Sequence, residues 1–176
     1  MIISLRGTSG CGKTHLVRNI VRLYSQHRAI MVPRRKRALY EIHGRNPGGR
    51  ALVTPGHYEI ANGGIDTLPD LPSAYGIALW AAMQHHDVLM EGKNMSDGLA
   101  HVTGLLARGF DARLVFIDEP LDVCIASVHA RGHNIAEDSI IRTQKKVRNS
   151  MSKFPGKTFT GNRAQCLATV QEWLGW

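Results

Sequence analysis

The chain has few of the features that staple or anchor a protein. It holds three cysteines, Cys11, Cys124 and Cys166, an odd number at long spacings. That pattern excludes a disulfide framework and offers no metal-binding pair, so a reducing cytoplasm is expected. No apolar run approaches the roughly 20 residues of a membrane helix. The first apolar segment, Ile2-Ile3-Ser4-Leu5, is too short for a signal peptide. There is no internal repeat and no low-complexity tract, which excludes solenoids and disordered tails. Acids are also scarce. Fourteen Asp and Glu face 22 Lys and Arg, a net charge of +8. A basic balance favours anionic partners such as nucleic acid, nucleotides or an acidic surface.

What is present is an ordinary globular composition, 43% hydrophobic over 176 residues. That suffices for a core without staples, and the length fits a single domain over 1–176. Apolar spacing predicts a buried strand at 2–6 and a helix over 13–26, with Leu16, Val17, Ile20, Val21, Leu23 and Tyr24 on one face. A second strand is expected at Ala29-Ile30-Met31-Val32, stopped by Pro33. Further helices are expected over 69–86, 97–108, 121–131 and 135–150, the last opened by an Asn134/Glu137 capping box. Strands are expected at Val88-Leu89-Met90, Leu114-Val115-Phe116-Ile117 and Thr158-Phe159-Thr160, before a closing helix with Leu167, Val170, Trp173 and Leu174. Strands alternating with helices predict an α/β three-layer sandwich, a mostly parallel sheet covered on both faces. Ligands of such sheets sit at the carboxyl ends of the strands, where Glu91 and Asp118 fall.

One motif carries chemistry by itself. Gly7-Thr8-Ser9-Gly10-Cys11-Gly12-Lys13-Thr14 fits G-x-x-x-x-G-K-[ST], and it follows a strand and opens an amphipathic helix. Glycines let the backbone wrap and aim its N–H groups at phosphate oxygens, and the helix adds the positive end of its dipole. Lys13 neutralises the β- and γ-phosphates and the Thr14 hydroxyl ligates Mg²⁺, so ATP with Mg²⁺ is expected.

Kinases and ATPases share this loop. Asp118-Glu119-Pro120 looks like the acidic strand end of a hydrolytic ATPase, but the L-S-G-G-Q signature of the transporter type is absent. Asp118 is read either as a metal ligand or as part of a cap on the next helix. Glu91, followed by Gly92, suits a kinase: it orients Mg²⁺ or accepts the acceptor hydroxyl's proton. Residues 129–150 are read as a helical lid, with Arg131 and Arg142 closing over the phosphates and Lys145, Lys146 and Arg148 extending the basic face. Residues 34–50 hold Arg34, Arg35, Lys36, Arg37, Arg45 and Arg50 and a turn at Asn46-Pro47-Gly48-Gly49, read as a basic hairpin inserted beside the core. Between strand and helix lies a polar, glycine-rich stretch, Gly56 to Leu68. There Tyr58 can stack on a base, Asn62 can read a base edge and Asp66 can accept a hydroxyl proton, beside His57.

Taken together, G-T-S-G-C-G-K-T, G-H-Y-E-I-A-N-G-G-I-D-T-L, V-L-M-E-G and V-F-I-D-E-P-L-D-V-C-I with H-A-R-G resemble phage-encoded P-loop kinases. Within these the chain is most similar to the 5-hydroxymethyluracil DNA kinases of thymidine hypermodification, over about residues 1–150. The resemblance implies transfer of the ATP γ-phosphate to the hydroxymethyl group of that base within DNA, with Gly7 to Thr14 holding ATP. The basic run 34–37 then tracks DNA phosphates. A free nucleoside or nucleotide kinase and a nucleic-acid-stimulated ATPase remain the alternatives, and the oligomeric state is open.

Overall fold

The computed structural model describes residues 1–44, 49–59, 63–92, 99–132 and 134–176. The sheet is built on β1 (Ile2–Arg6), which is buried at every residue. Such a strand needs cover on both faces, as in a parallel sheet. β1 pairs in parallel with β5 (Asp87–Glu91) on one side and β6 (Ala112–Ile117) on the other. β6 pairs in parallel with β7 (Lys157–Gly161), and β5 with β4 (Leu52–Pro55). The far edge turns antiparallel through β3 (Tyr40–Gly44) and β2 (Gln26–Ile30), giving the order β2-β3-β4-β5-β1-β6-β7.

Alternation along β1 builds the two cores. Ile2 packs with Val88, Leu114 and Phe116 beneath α2 (Leu71–Met83) and α3 (Leu99–Ala107), joined by Val147 and Met151 of α5 (Glu137–Met151). Ile3 and Leu5 pack on the other face with α1 (Lys13–Val21), α4 (Leu121–His129) and α6 (Arg163–Leu174). The three-layer α/β sandwich is therefore as expected. Among the described residues no helix is long and apolar enough to cross a membrane.

Three local expectations are corrected. α1 stops at Val21 rather than residue 26, because Leu23 and Tyr24 close a turn onto Ile20 and Val21. β2 begins at Gln26, three residues before the apolar run; it is an exposed edge strand, so its polar residues gave no periodic signal. Asn134 and Glu137 form no capping box: α5 has Ala136 at its N-cap with no side-chain bond. The capping box belongs to α6, where Asn162 accepts from the Gln165 N–H and the Gln165 side chain accepts from the Asn162 N–H. The basic hairpin expected over 34–50 contains β3, which pairs antiparallel with β4 and so joins the sheet that β4 shares with β5. The run Arg34 to Arg37 lies in the β2–β3 connection, and Arg45 and the first three residues of the turn expected at Asn46-Pro47-Gly48-Gly49 fall outside the described residues.

Candidate active site

From Arg6 the chain turns through Gly7 to Gly12 into α1. Gly10 adopts φ +86°, and a Cβ there would run into the Cys124 carbonyl of α4, so only glycine fits. The α1 N-cap is Gly12, in left-handed geometry, and no side chain caps the helix. Its first N–H groups and positive dipole end are left for an anion. Lys13 is 9% exposed, and its ammonium donates to the carbonyls of Gly7 (2.9 Å) and Thr8 (3.0 Å), clamping the loop. The Thr8 hydroxyl donates to the Ile140 carbonyl of α5 (2.9 Å).

Glu91, at the end of β5, meets this loop. The Thr14 hydroxyl donates to Glu91 Oε1 at 2.8 Å. Burial pushes the Glu91 carboxyl up to about 7; Lys13, the Thr14 bond and Arg18 pull it down, while Asp66 adds to the rise. The structure thus unites Lys13, Thr14 and Glu91, with Asp66 exposed at the rim on a 3-10 turn (Ile65–Thr67). Two oxygen donors at hydrogen-bond distance suit a hard cation that completes its shell from water and substrate phosphates.

The glycine-rich stretch packs against Glu91. Gly64 adopts φ +72°, and a Cβ there would strike the Glu91 carbonyl. Arg18 of α1 donates to the Tyr58 carbonyl (2.8 Å), tying the stretch to the phosphate-loop helix. Three buried polar atoms here find no hydrogen-bond partner among the described residues, both His57 ring nitrogens and Arg35 Nε, while the Tyr58 hydroxyl faces the Glu91 backbone. Buried polar atoms without partners are rare in native structures and mark places where a ligand or water completes the set. Burial first, then the charge of Arg37, hold His57 below its usual value, with Glu59 opposing and Arg35 adding to the fall. Burial, with Glu91 next, raises the Tyr58 phenol well above its usual value. Arg35 also donates to the Thr67 carbonyl (2.9 Å), joining the basic connection to the same stretch, while Arg34, Lys36 and Arg37 stay exposed. Asn62 lies outside the described residues.

Other expected residues sit elsewhere. Asp118 is corrected: beyond β6 its carboxylate turns to α5, where it accepts from Arg148 (2.7 and 2.9 Å) and Gln144 (3.0 Å), instead of meeting Thr14 on α1. Nor does Glu119 cap α4; it accepts from the Arg163 N–H at the start of α6 (2.6 Å). Arg131 and Arg142 are exposed, and each donates from Nε to a carbonyl one turn back, Ser127 and Asp138. Arg131 lies in the turn after α4 and Arg142 on α5, which packs into the core through Val147 and Met151.

One cation was missed. Arg163 Nε lies 3.3 Å from the Cys11 carbonyl, 152 residues away in the chain, and no motif marks it. Beside it a cleft of about 410 Å³ opens between α1 and α6, lined among others by His15, Asn19, Glu119, Asn162, Arg163 and Leu167. Its mixed apolar, amide and charged lining, next to the second half of the loop, suits a planar polar ligand.

No protein-family profile matches the chain. A protein of Pseudomonas phage PaMx11 named 5-hmdU DNA kinase is 37% identical over 131 residues, which cover 74% of this chain and 68% of that protein. Two structures of the deoxyadenosine kinase of M. mycoides share the fold. The one with bound dATP superposes with a TM-score of 0.53 at 14% identity, covering 100% of both chains. The one with products dCMP and a flexible dCDP gives 0.50 at 10% identity, covering 99% of this chain and 98% of the other.

Proposed function

The chain belongs to the family of phage 5-hmdU DNA kinases, and from that premise we propose that it transfers the γ-phosphate of ATP to the hydroxymethyl group of 5-hydroxymethyluracil within DNA. The observation that carries the reading is the placing of Glu91. It is buried, tied to Thr14 of the phosphate loop, and faces a stretch whose polar atoms await partners. A phosphate loop built for hydrolysis has no need of such a second, polar half.

In this reading Gly7 to Thr14 hold the triphosphate, with Lys13 moving from its own loop carbonyls to the β- and γ-oxygens. The adenosine end extends toward the cleft beside Arg163. Thr14 and Glu91 would hold Mg²⁺, which supplies charge neutralisation between the β- and γ-phosphates when bound. Glu91 or Asp66 accepts the hydroxyl proton, and His57 and Tyr58 surround the base. Arg34, Lys36 and Arg37 follow the DNA backbone. Arg131 and Arg142 must leave their helix carbonyls to reach the phosphates, whereas Arg163 already touches the loop.

Incubation with γ-labelled ATP and either hydroxymethyluracil DNA, the free nucleoside or its monophosphate tests this. Label is expected on the polymer. Label confined to the small molecules would make the enzyme a nucleoside or nucleotide kinase, and phosphate released only into water would make it an ATPase.

A further inference from the structure

Away from Lys13 and Glu91, one buried cation has no carboxylate partner among the described residues. Arg6 ends β1, one residue before the phosphate loop, and is 2% exposed. It points to the α2 and α3 face of the sheet, since Ile2, Ser4 and Arg6 alternate with Ile3 and Leu5, which pack under α1. Its Nε donates to the Ser4 hydroxyl at 3.0 Å. Nη1 and Nη2 are buried, and among the described residues they meet only the Tyr75 phenol, too loosely to satisfy both amino groups. The polar group beside them is the Tyr75 phenol of α2, whose ring stacks on exposed His101 of α3 (centroids 4.6 Å apart, 22° between planes). No carboxylate among the described residues pairs with Arg6.

A guanidinium keeps its proton in any protein setting, so this charge cannot be neutralised by titration. Burying an unpaired charge is costly, and a Met or Leu would fill the place more cheaply. The fork of N–H donors matches phosphate oxygens, and the site lies at the carboxyl edge of the central strand, where ligands of open α/β sheets bind.

We propose that Arg6 is a second phosphate-binding site, its two amino groups taking a phosphate oxygen on the acceptor side of the sheet. This rests on the kinase reading above. The oxygen comes either from the backbone of the DNA acceptor or from the phosphoryl group in transfer. It reaches Arg6 where the Tyr75–His101 pair meets solvent, which requires those rings to part.

Arg6→Met keeps the stem and removes the charge; Arg6→Lys keeps the charge without the fork. In thermal unfolding of the full chain, Arg6→Met should melt at or above the wild type, because an unpaired buried charge is gone. With hydroxymethyluracil oligonucleotide and labelled ATP, the same variant should raise the acceptor KM about 10-fold or more, with the ATP KM unchanged, if the oxygen is on the DNA backbone. If it is on the transferred group, kcat should fall about 100-fold with both KM values unchanged. Arg6→Lys should recover part of either loss. A lower melting point for Arg6→Met with kcat and both KM values unaltered in the folded protein would make Arg6 a structural cation and overturn the proposal. Inorganic phosphate at fixed ionic strength separates this from the choice of acceptor. It should raise the melting point of Lys13→Ala but not of Arg6→Met/Lys13→Ala, whatever the enzyme phosphorylates. Equal responses of the two would remove the site and leave the kinase reading standing.

Discussion

Glu91 and His43 show how burial sets protonation in this fold. Glu91 is pushed up to about 7 at the centre of the candidate site. If Glu91 rather than Asp66 takes the acceptor proton, that role is worth about 10²–10⁴ in rate. Glu91→Gln should then lower kcat by that factor, whereas Glu119→Gln, which weakens a bond to the α6 backbone at the edge of the cleft, should keep kcat for phosphate transfer; steady-state kinetics with labelled ATP distinguishes them. His43 is fully buried on β3, and burial, with His27 next, brings it down to about 4. Its Nε2 lies 3.0 Å from the Thr54 hydroxyl and 3.6 Å from Glu41, whose carboxyl burial itself raises. Tyr24 and His27 complete its surroundings. The folded value lies below the 6.5 of the free group, so the unfolded chain takes up the proton first. The stability involved is present above 6.5 and is lost as pH falls toward 4, up to about 3 kcal/mol. Chemical unfolding across that range should show the loss in the wild type and a flatter profile in His43→Gln.

At the scale of elements, caps decided boundaries that periodicity could not. Asn134 with Glu137 and Asn162 with Gln165 satisfy the same spacing rule, yet only the second pair bonds. Asn162→Ala should cost about 1 kcal/mol in denaturant unfolding, and Asn134→Ala should stay within about 0.5 kcal/mol of the wild type. The apolar faces of α1 and α2 and the run at β5 were legible because each is set by local spacing. The edge strand β2 was shifted because its four exposed residues carry no face to bury. The role of Asp118 was not legible for another reason. A strand end says that an acid stands at the sheet's edge, but whether it turns to α1 or to α5 depends on Arg148 and Gln144, which approach from 30 and 26 residues away.

For the whole molecule, the surplus of positive charge matters only where it collects. Arg35, bonded to Thr67, fixes the β2–β3 connection against the acceptor stretch, so Arg34, Lys36 and Arg37 sit exposed at its mouth. If those three contact DNA phosphates, replacing all three with Ala should reduce the slope of log affinity against log salt by about 2–3 in binding titrations with hydroxymethyluracil DNA. A slope unchanged by the substitution would place the DNA on another face. The sequence by itself determined the phosphate loop, the alternation of strands and helices and hence the α/β class, because glycine positions, the Lys13-Thr14 pair and apolar periodicity are all local along the chain. Only the tertiary structure decided which acid meets that loop, that Arg163 joins it from the far end of the chain, and that Arg6 is buried beneath α2 with no carboxylate beside it among the described residues. Those outcomes depend on the side of the sheet to which each crossover returns, and that is set by packing between residues far apart in the sequence.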